Sequence, residues 1–330
     1  MEITVIGGSG FIGSRLSRMI NKNIDFSLSI IDINASTSFP DKHKFADVRN
    51  IESLRSTINE GSLLINLAAE HRDDVKPLRL YQEVNVNGAK NICNVARDKK
   101  VKTIIFTSSV AVYGFAPIGT NESGAIIPFN EYGRTKYEAE KIFLAWQNES
   151  ASDRTLVILR PTVVFGEKNR GNVYNLLRQI SSGKFVMVGN GENRKSMAYV
   201  ENIAAFIIYA TRFHPGVHIY NYADKPDFTM NSLVDLVNRM LGKTRNRKFR
   251  IPFFIGFFIG KCFDLAAVIS GVKLPISSIR VKKFCSNSVY SSSIGQSGFI
   301  PPVTLTKGLE KTIRYEFLES HSNQDVFYTE

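Results

Sequence analysis

"MEITVIGGSGFIGSRLSRMI", residues Met1–Ile20, decides the fold. Ile3 to Ile6 make a short apolar strand. Gly7, Gly10 and Gly13 follow at three-residue spacing, and Ile12, Leu16, Met19 and Ile20 then share one face of a helix. A strand, a glycine turn and a helix start bring backbone N–H groups and the positive end of a helix dipole to one point, where a pyrophosphate can be held. The glycines permit the tight turn and the close approach. The stretch is not a signal peptide, because it lacks a basic n-region and a long apolar h-region.

Working outward, a second strand, "LSIIDI", carries Asp32 about 20 residues after the glycines, where an acid bonds the adenine ribose hydroxyls. Asn34 and Ala35 follow, with no arginine placed for a 2′-phosphate, so NAD is expected in preference to NADP. "ADV" (Ala46–Val48) reads as a third strand end and "LLINLAA" (Leu63–Ala69) as a fourth, with Ala68 and Ala69 small enough for a cofactor to lie against the backbone. "VKTIIFTSS" and "TLVILRP" read as further buried strands with helices between. The alternation predicts an α/β fold, a doubly wound parallel sheet of Rossmann type with a smaller C-terminal substrate domain. The expected division is 1–166 plus about 196–222 for the dinucleotide, and 167–195 plus about 223–330 for the substrate.

The 330 residues suffice for a proper core, and 43% hydrophobic content excludes global disorder. The three cysteines, Cys93, Cys262 and Cys285, are far apart; they suit a reducing compartment and supply no metal-ligand spacing.

Chemistry concentrates in "NEYGRTKYEAEKIF" (Asn130–Phe143), a helix that places Tyr132 and Lys136 one turn apart on one face, with Asn130 as N-cap. A free tyrosine titrates near ~10. A fixed ammonium one turn away favours the phenolate, which makes Tyr132 a usable general base. The preceding "FTSSVAVYG" sets Ser108 and Ser109 at the carboxyl end of a strand, where open α/β sheets bind ligands, and a hydroxyl there can share the substrate's proton.

With these residues in place the chain resembles the extended short-chain dehydrogenase/reductases of the nucleotide-sugar epimerase kind. The glycine turn, Asp32, "NLAA", "NVNG" (Asn85–Gly88), "SSVAVYG", "YGRTK", "LRPTVVFG", "GNGENRKSMAYVEN" and the closing "GFIPPVTLTKGLEKTIRYEF" occur in family order and cover essentially the whole chain. The resemblance implies Ser109, Tyr132 and Lys136 as the catalytic triad. It implies tightly bound NAD, not consumed, held by Gly7, Gly10, Phe11, Ile12, Gly13, Asp32, Asp47, Val48, Leu67, Ala68, Ala69, Asn85, Ser108, Tyr132, Lys136 and Pro161. Ser109, Asn172, Asn175 and Lys195 are implied for the substrate, Lys195 standing where many relatives have an arginine on the diphosphate. Ile6 replaces the family's usual threonine. A homodimer through the helices after "NVNG" and "YGRTK" is implied as well.

Within the family, dehydration needs an acid beside the catalytic hydroxyl, but Val110 and Ala111 follow Ser109. A reductase needs exchangeable NADPH, which Asp32 disfavours. Epimerisation at C4 of a sugar is the expected reaction.

Net charge is +12, and residues 243–283 hold ten Lys/Arg against one acid, Asp264. Inside that segment runs "KFRIPFFIGFFIGKCFDL" (Lys248–Leu265). Its apolar core, Ile251–Ile259, spans only about 13 Å as a helix, too short to cross a bilayer core of ~30 Å. It reads either as a buried helix or as an interfacial one whose aromatic residues dip into headgroups, flanked by Lys243, Arg245, Arg247, Lys248 and Arg250 before it and Arg280, Lys282 and Lys283 after it. The Phe/Ile run offers few groups to read bases, so nucleic acid is not the expected partner. "LAAEHRDDV", "RGNVYNLL" and "IRVKKFC" are similar to the bacterial epimerases that act on N-acetylglucosamine diphosphate linked to undecaprenol, in O-antigen assembly. That resemblance implies a lipid-linked sugar diphosphate as substrate and a peripheral place on the anionic cytoplasmic face of the inner membrane. A soluble UDP-sugar 4-epimerase remains the alternative, and a non-catalytic NAD-binding regulator on the same fold a third reading.

Overall fold

The structure, a computed structural model, describes all residues except 73–74, 244–249, 271–276, 322–324 and 330. Its strands are β1 (Glu2–Ile6), β2 (Ser27–Asp32), β3 (His43–Phe45), β4 (Leu63–Asn66), β5 (Thr103–Thr107), β6 (Thr155–Pro161), β7 (Val163–Phe165), β8 (Met187–Val188), β9 (Arg194–Tyr199), β10 (Gly216–Tyr222), β11 (Asp224–Thr229) and β12 (Arg250–Ile251). The helices are α1 (Phe11–Asn21), α2 (Ile51–Thr57), α3 (Arg79–Tyr81), α4 (Gly88–Asp98), α5 (Glu131–Asn148), α6 (Asn172–Ser181), α7 (Val200–Ala210), α8 (Met230–Met240), α9 (Phe253–Ser270), α10 (Ser278–Cys285) and α11 (Leu305–Phe317).

Seven strands form one parallel sheet in the order β10-β6-β5-β4-β1-β2-β3. Both faces are covered, so the strands are apolar at consecutive positions rather than at alternate ones. Val5, Ile30, Ile65, Ile105 and Val157 pack with α1 and α7 on one face, through Leu16, Ile20, Ile203 and Phe206. Their neighbours Ile6, Ile31, Leu64, Ile104 and Ile158 pack on the other, with Ile92 of α4 and with Phe143 and Trp146 of α5. Strand order reverses between β1 and β4, and that switch point opens a crevice at the carboxyl ends of the strands.

A three-stranded sheet, β11-β9-β7, and the short pair β12-β8 carry a second core with α6, α8 and α11, in which Leu177, Met197, Leu233, Val237 and Leu309 are buried. Beyond it α9 runs 18 residues, from Phe253 through Lys261 and Asp264 to Ser270. It extends well past the nine-residue apolar core Ile251–Ile259. The helix is about 27 Å long, and it is long and apolar enough to cross a membrane by length and composition. It is not a buried helix either: Gly256 and Gly260 are its buried residues, while Phe254, Phe258, Leu265, Val268 and Ile269 are exposed.

The buried stripe explains the helix. A Cβ on Gly260 would lie 2.7 Å from the Ser278 backbone, and one on Gly256 would lie 2.7 Å from the Val188 side chain. One turn further, Asp264 accepts from the Ser278 hydroxyl at 2.5 Å and from its N–H at 3.2 Å, while Ser277 caps the same helix start by accepting from the N–H of Arg280. Gly256, Gly260 and Asp264 thus form the face on which α10 sits. The one acid of the basic segment satisfies the amino end of the next helix.

Candidate active site

The glycine turn lies at the switch point. A Cβ on Gly7, whose φ is +78°, would sit 2.6 Å from the Ala68 nitrogen, and one on Gly13 would sit 2.6 Å from the Gly7 oxygen. Only glycine allows β1, α1 and the end of β4 to meet this closely. No side chain caps α1 at Gly10, so its first-turn amides, those of Phe11, Ile12 and Gly13, stay available for an anion. Asp32 bridges the turn and the following loop: one carboxylate oxygen accepts from Ser9 N at 3.0 Å, the other from Asn34 N at 2.9 Å. This cradle of open amides with an acid at the end of β2 fits a dinucleotide.

Several expected cofactor residues have protein partners as well. Phe11 packs its ring into the second core beside Phe327. The Asp47 carboxylate pairs with Arg49 at 2.6 Å, which holds it below the usual carboxylate range. Val48 is buried under Gly88, where a Cβ would meet its side chain at 2.9 Å. Leu67 continues the β1–β4 ladder through Ile6, and Ala68 N donates to Asn66 Oδ1. Asn85 joins the strand exit to the tyrosine helix: its amide donates to Glu70 O and Thr135 Oγ1 at 3.0 Å, and its carbonyl accepts from Glu70 N at 2.9 Å. Pro161 ends β6.

Helix α5 starts where Asn130 Oδ1 accepts from Gly133 N at 2.9 Å, the expected cap. A Cβ on Gly133 would lie 2.4 Å from the Ala111 oxygen, so the first turn of α5 rests on the turn that follows Ser109. This contact brings the Ser109 segment to the helix of Tyr132 and Lys136. Ser109 Oγ accepts from Ala111 N at 3.1 Å, which fixes the hydroxyl at the strand exit. Lys136 is 2% exposed, with Nζ 4.4 Å from the Phe106 ring centroid. Burial pulls its pKa down to about 7, against the opposing charge of Glu140 one turn on.

Sequence reasoning missed the layer beneath. Ser108 Oγ donates to Glu140 Oε1 at 2.5 Å. Arg160 grips the same carboxylate with two bonds, at 2.9 and 2.6 Å, and donates to Tyr113 Oη at 2.7 Å. Tyr113 in turn donates to Asn221 Oδ1 at 2.8 Å. All five residues are buried. Ser108 therefore belongs to this support. The signals were present: Glu140 repeats the four-residue spacing after Lys136, and Arg160 interrupts an apolar strand.

The remaining candidates lie in the second region. Asn172 and Asn175 occupy the first turn of α6. Lys195 Nζ donates to the carbonyls of Lys283 at 2.8 Å and Ser286 at 2.7 Å, closing the carboxyl end of α10. Burial lowers its pKa to about 8. Arg245, Arg247 and Lys248 of the expected basic flank lie outside the described residues.

A nucleotide cradle at the switch point, beside a serine and a Tyr-x-x-x-Lys helix, defines an NAD-dependent enzyme of the short-chain dehydrogenase/reductase class. A model of the NAD dependent epimerase/dehydratase family matches residues 3–223, and the chain belongs to that family. Over 331 aligned residues it is 44% identical to an N-acetyl-alpha-D-glucosaminyl-diphospho-ditrans,octacis-undecaprenol 4-epimerase of Escherichia coli O157:H7, covering 100% of this chain and 99% of that one. A UDP-glucose 4-epimerase of Vibrio cholerae is 26% identical, with 97% of each chain covered. In fold the chain is similar to a UDP-glucuronic acid 4-epimerase from Bacillus cereus in complex with NAD, at a TM-score of 0.73 and 19% identity, covering 96% of this chain and 98% of that one.

Proposed function

We propose that the protein interconverts the C4 epimers of an N-acetylhexosamine whose diphosphate is esterified to a polyprenol, N-acetylglucosamine to N-acetylgalactosamine, for surface polysaccharide assembly. The full-length 44% likeness to the undecaprenol-linked epimerase carries this reading. Tyr132 removes the proton of the C4 hydroxyl and returns it. Ser109 holds that oxygen by hydrogen bond, and Lys136, when charged, favours the phenolate of Tyr132. Bound NAD supplies the acceptor and donor of the C4 hydride. The sheet region with the glycine turn and Asp32 holds the dinucleotide, and the second region faces the substrate.

The exposed face of α9 supports docking on a membrane. Gly256, Gly260 and Asp264 fix one side of the helix against α10, which leaves the phenylalanine side to enter the interface in the plane of the bilayer. Lys261, Arg280, Lys282 and Lys283 add attraction to anionic lipid of the cytoplasmic leaflet. A homodimer through α4 and α5 is part of the same reading.

The test offers the protein lipid-linked and UDP-linked N-acetylglucosamine side by side, each with deuterium at C4, and identifies the product sugars. Conversion of the lipid-linked form with deuterium kept on carbon is the expected result. Conversion of the UDP form alone rejects the lipid-linked reading, and loss of the label to water rejects the hydride cycle.

A further inference from the structure

Two short loops lead away from the catalytic residues. One follows the Ser109 turn through Gly114 to Phe115 and Ile118; the other comes through Ile127 and Phe129 to Asn130, the cap of the Tyr132 helix. They are packed backbone to backbone, since a Cβ on Gly114, at φ +65°, would meet the Ile127 oxygen at 2.0 Å. Phe115 packs against Phe129 in a tilted arrangement, with ring centroids 4.8 Å apart. Phe115, Ile118, Ile127 and Phe129 are nevertheless exposed. Scattered single hydrophobics need no explanation, but four on the loops that lead from the catalytic residues, two of them in ring contact, do.

The cations of α10 bound this surface. Lys282 Nζ lies 5.6 Å from the Phe115 ring centroid and Lys283 Nζ lies 4.6 Å from that of Phe129. Their position is fixed from both ends of α10, by Asp264 of α9 at the amino end and by Lys195 of β9 at the carboxyl end. The Phe115 loop is tied to the chain that follows α10, through Gly119 N to Val289 O at 2.8 Å.

We propose that Phe115, Ile118, Ile127 and Phe129 receive the first isoprene units of the substrate's polyprenyl chain as it leaves the catalytic centre for the bilayer; the assignment rests on the lipid-linked reading above. Charge complementarity favours this occupant. An anionic diphosphate followed by a branched hydrocarbon meets lysines set over aromatic rings, on loops that lead away from Ser109 and Asn130. A nucleotide in place of the polyprenol would bring sugar hydroxyls and a base, for which these four side chains offer no polar partner. The surface would then select the carrier, acting on binding rather than on the reaction.

The experiment compares two substrates in detergent micelles: N-acetylglucosamine diphosphate on undecaprenol, and the same sugar diphosphate bearing a methyl group. The wild-type protein is expected to favour the undecaprenyl form by about tenfold in kcat/KM, mainly through KM. The double variant Phe115→Ser/Phe129→Ser, with NAD content and oligomeric size measured, is expected to bring that ratio close to one. An unchanged ratio in a folded, NAD-loaded variant overturns the proposal. A changed oligomeric state with the ratio intact overturns it too, because these side chains would then cover a second copy of the chain. Wild-type protein inactive on both substrates defeats instead the lipid-linked reading on which the assignment rests.

Discussion

Helices α5 and α9 are each 18 residues long, and each inverts the usual rule for a helix. Helix α5 takes charges inside: Lys136 and Glu140 are buried along with Thr135 and Gln147. Helix α9 leaves hydrocarbon outside, burying its two glycines while Phe254 and Phe258 are 70% and 68% exposed. Buried ions cost folding energy unless they are paired, and exposed phenylalanines forgo burial worth about 1.5–3 kcal/mol each. Both costs are local. One falls on the helix of Tyr132 and Lys136, and the other on the face proposed above for membrane docking. Elsewhere the sheet obeys the rule, with aliphatic side chains on both faces.

The comparison can be broken first at α5. Tyr132→Phe removes one oxygen and leaves the cradle at Gly7, Gly13 and Asp32 untouched. Epimerisation is expected to fall by at least about a thousandfold, with NAD still bound at the wild-type ratio in the purified protein. Turnover near the wild-type rate would remove Tyr132 from the chemistry. The corresponding break at α9 is Phe254→Ser/Phe258→Ser. These side chains face solvent, so thermal stability should move little. Partition onto vesicles containing an anionic lipid should drop by roughly a hundredfold if both rings enter the interface. Flotation that matches the wild type would assign the exposed face some other use.

What the sequence disclosed of each helix follows the reach of the interactions. The glycine turn, Asp32 and the Tyr132–Lys136 spacing depend on contacts within one strand or one turn, so they were legible at once. Doubly apolar strands announced a parallel sheet for the same reason. Only the apolar core of α9, Ile251–Ile259, stands out in the sequence, and the helix runs on through Lys261 and Asp264. Asp264 is there for Ser278, on another helix, and no local pattern shows that. Lys195 finds its partners about ninety residues later, at Lys283 and Ser286. Asn85, implied as a cofactor contact, also joins Glu70, 15 residues before it, to Thr135, 50 residues after it. Helix α10 drew attention by its charge, but what the lysines stand over, Phe115 and Phe129, is a matter of tertiary placement.

The smallest expected effect sharpens the comparison most, because it asks what the buried charges of α5 are for. Burial draws Lys136 down to about 7, and the carboxylate of Glu140 is what opposes that fall. In Glu140→Gln the opposition is gone, so the lysine is neutral over more of the neutral range. A neutral Lys136 no longer favours the phenolate of Tyr132, which then forms only at higher pH. The direct effect of the Glu140 charge on Tyr132 runs the other way, but it is muted by the two bonds from Arg160. The acid limb of the pH–rate profile should therefore move upward by about one unit, and turnover at pH 7 should fall by about tenfold. Glu140→Gln also leaves Arg160 short of its anion, and the melting temperature will drop for that reason alone. Loss of stability lowers the amount of folded enzyme equally at every pH where it remains folded, so rates are taken per bound NAD and only the profile is read. A profile that keeps its position while stability falls would make Glu140 a brace for Ser108 and Arg160 and nothing more. A displaced limb would show that α5 buries a carboxylate to keep its lysine charged.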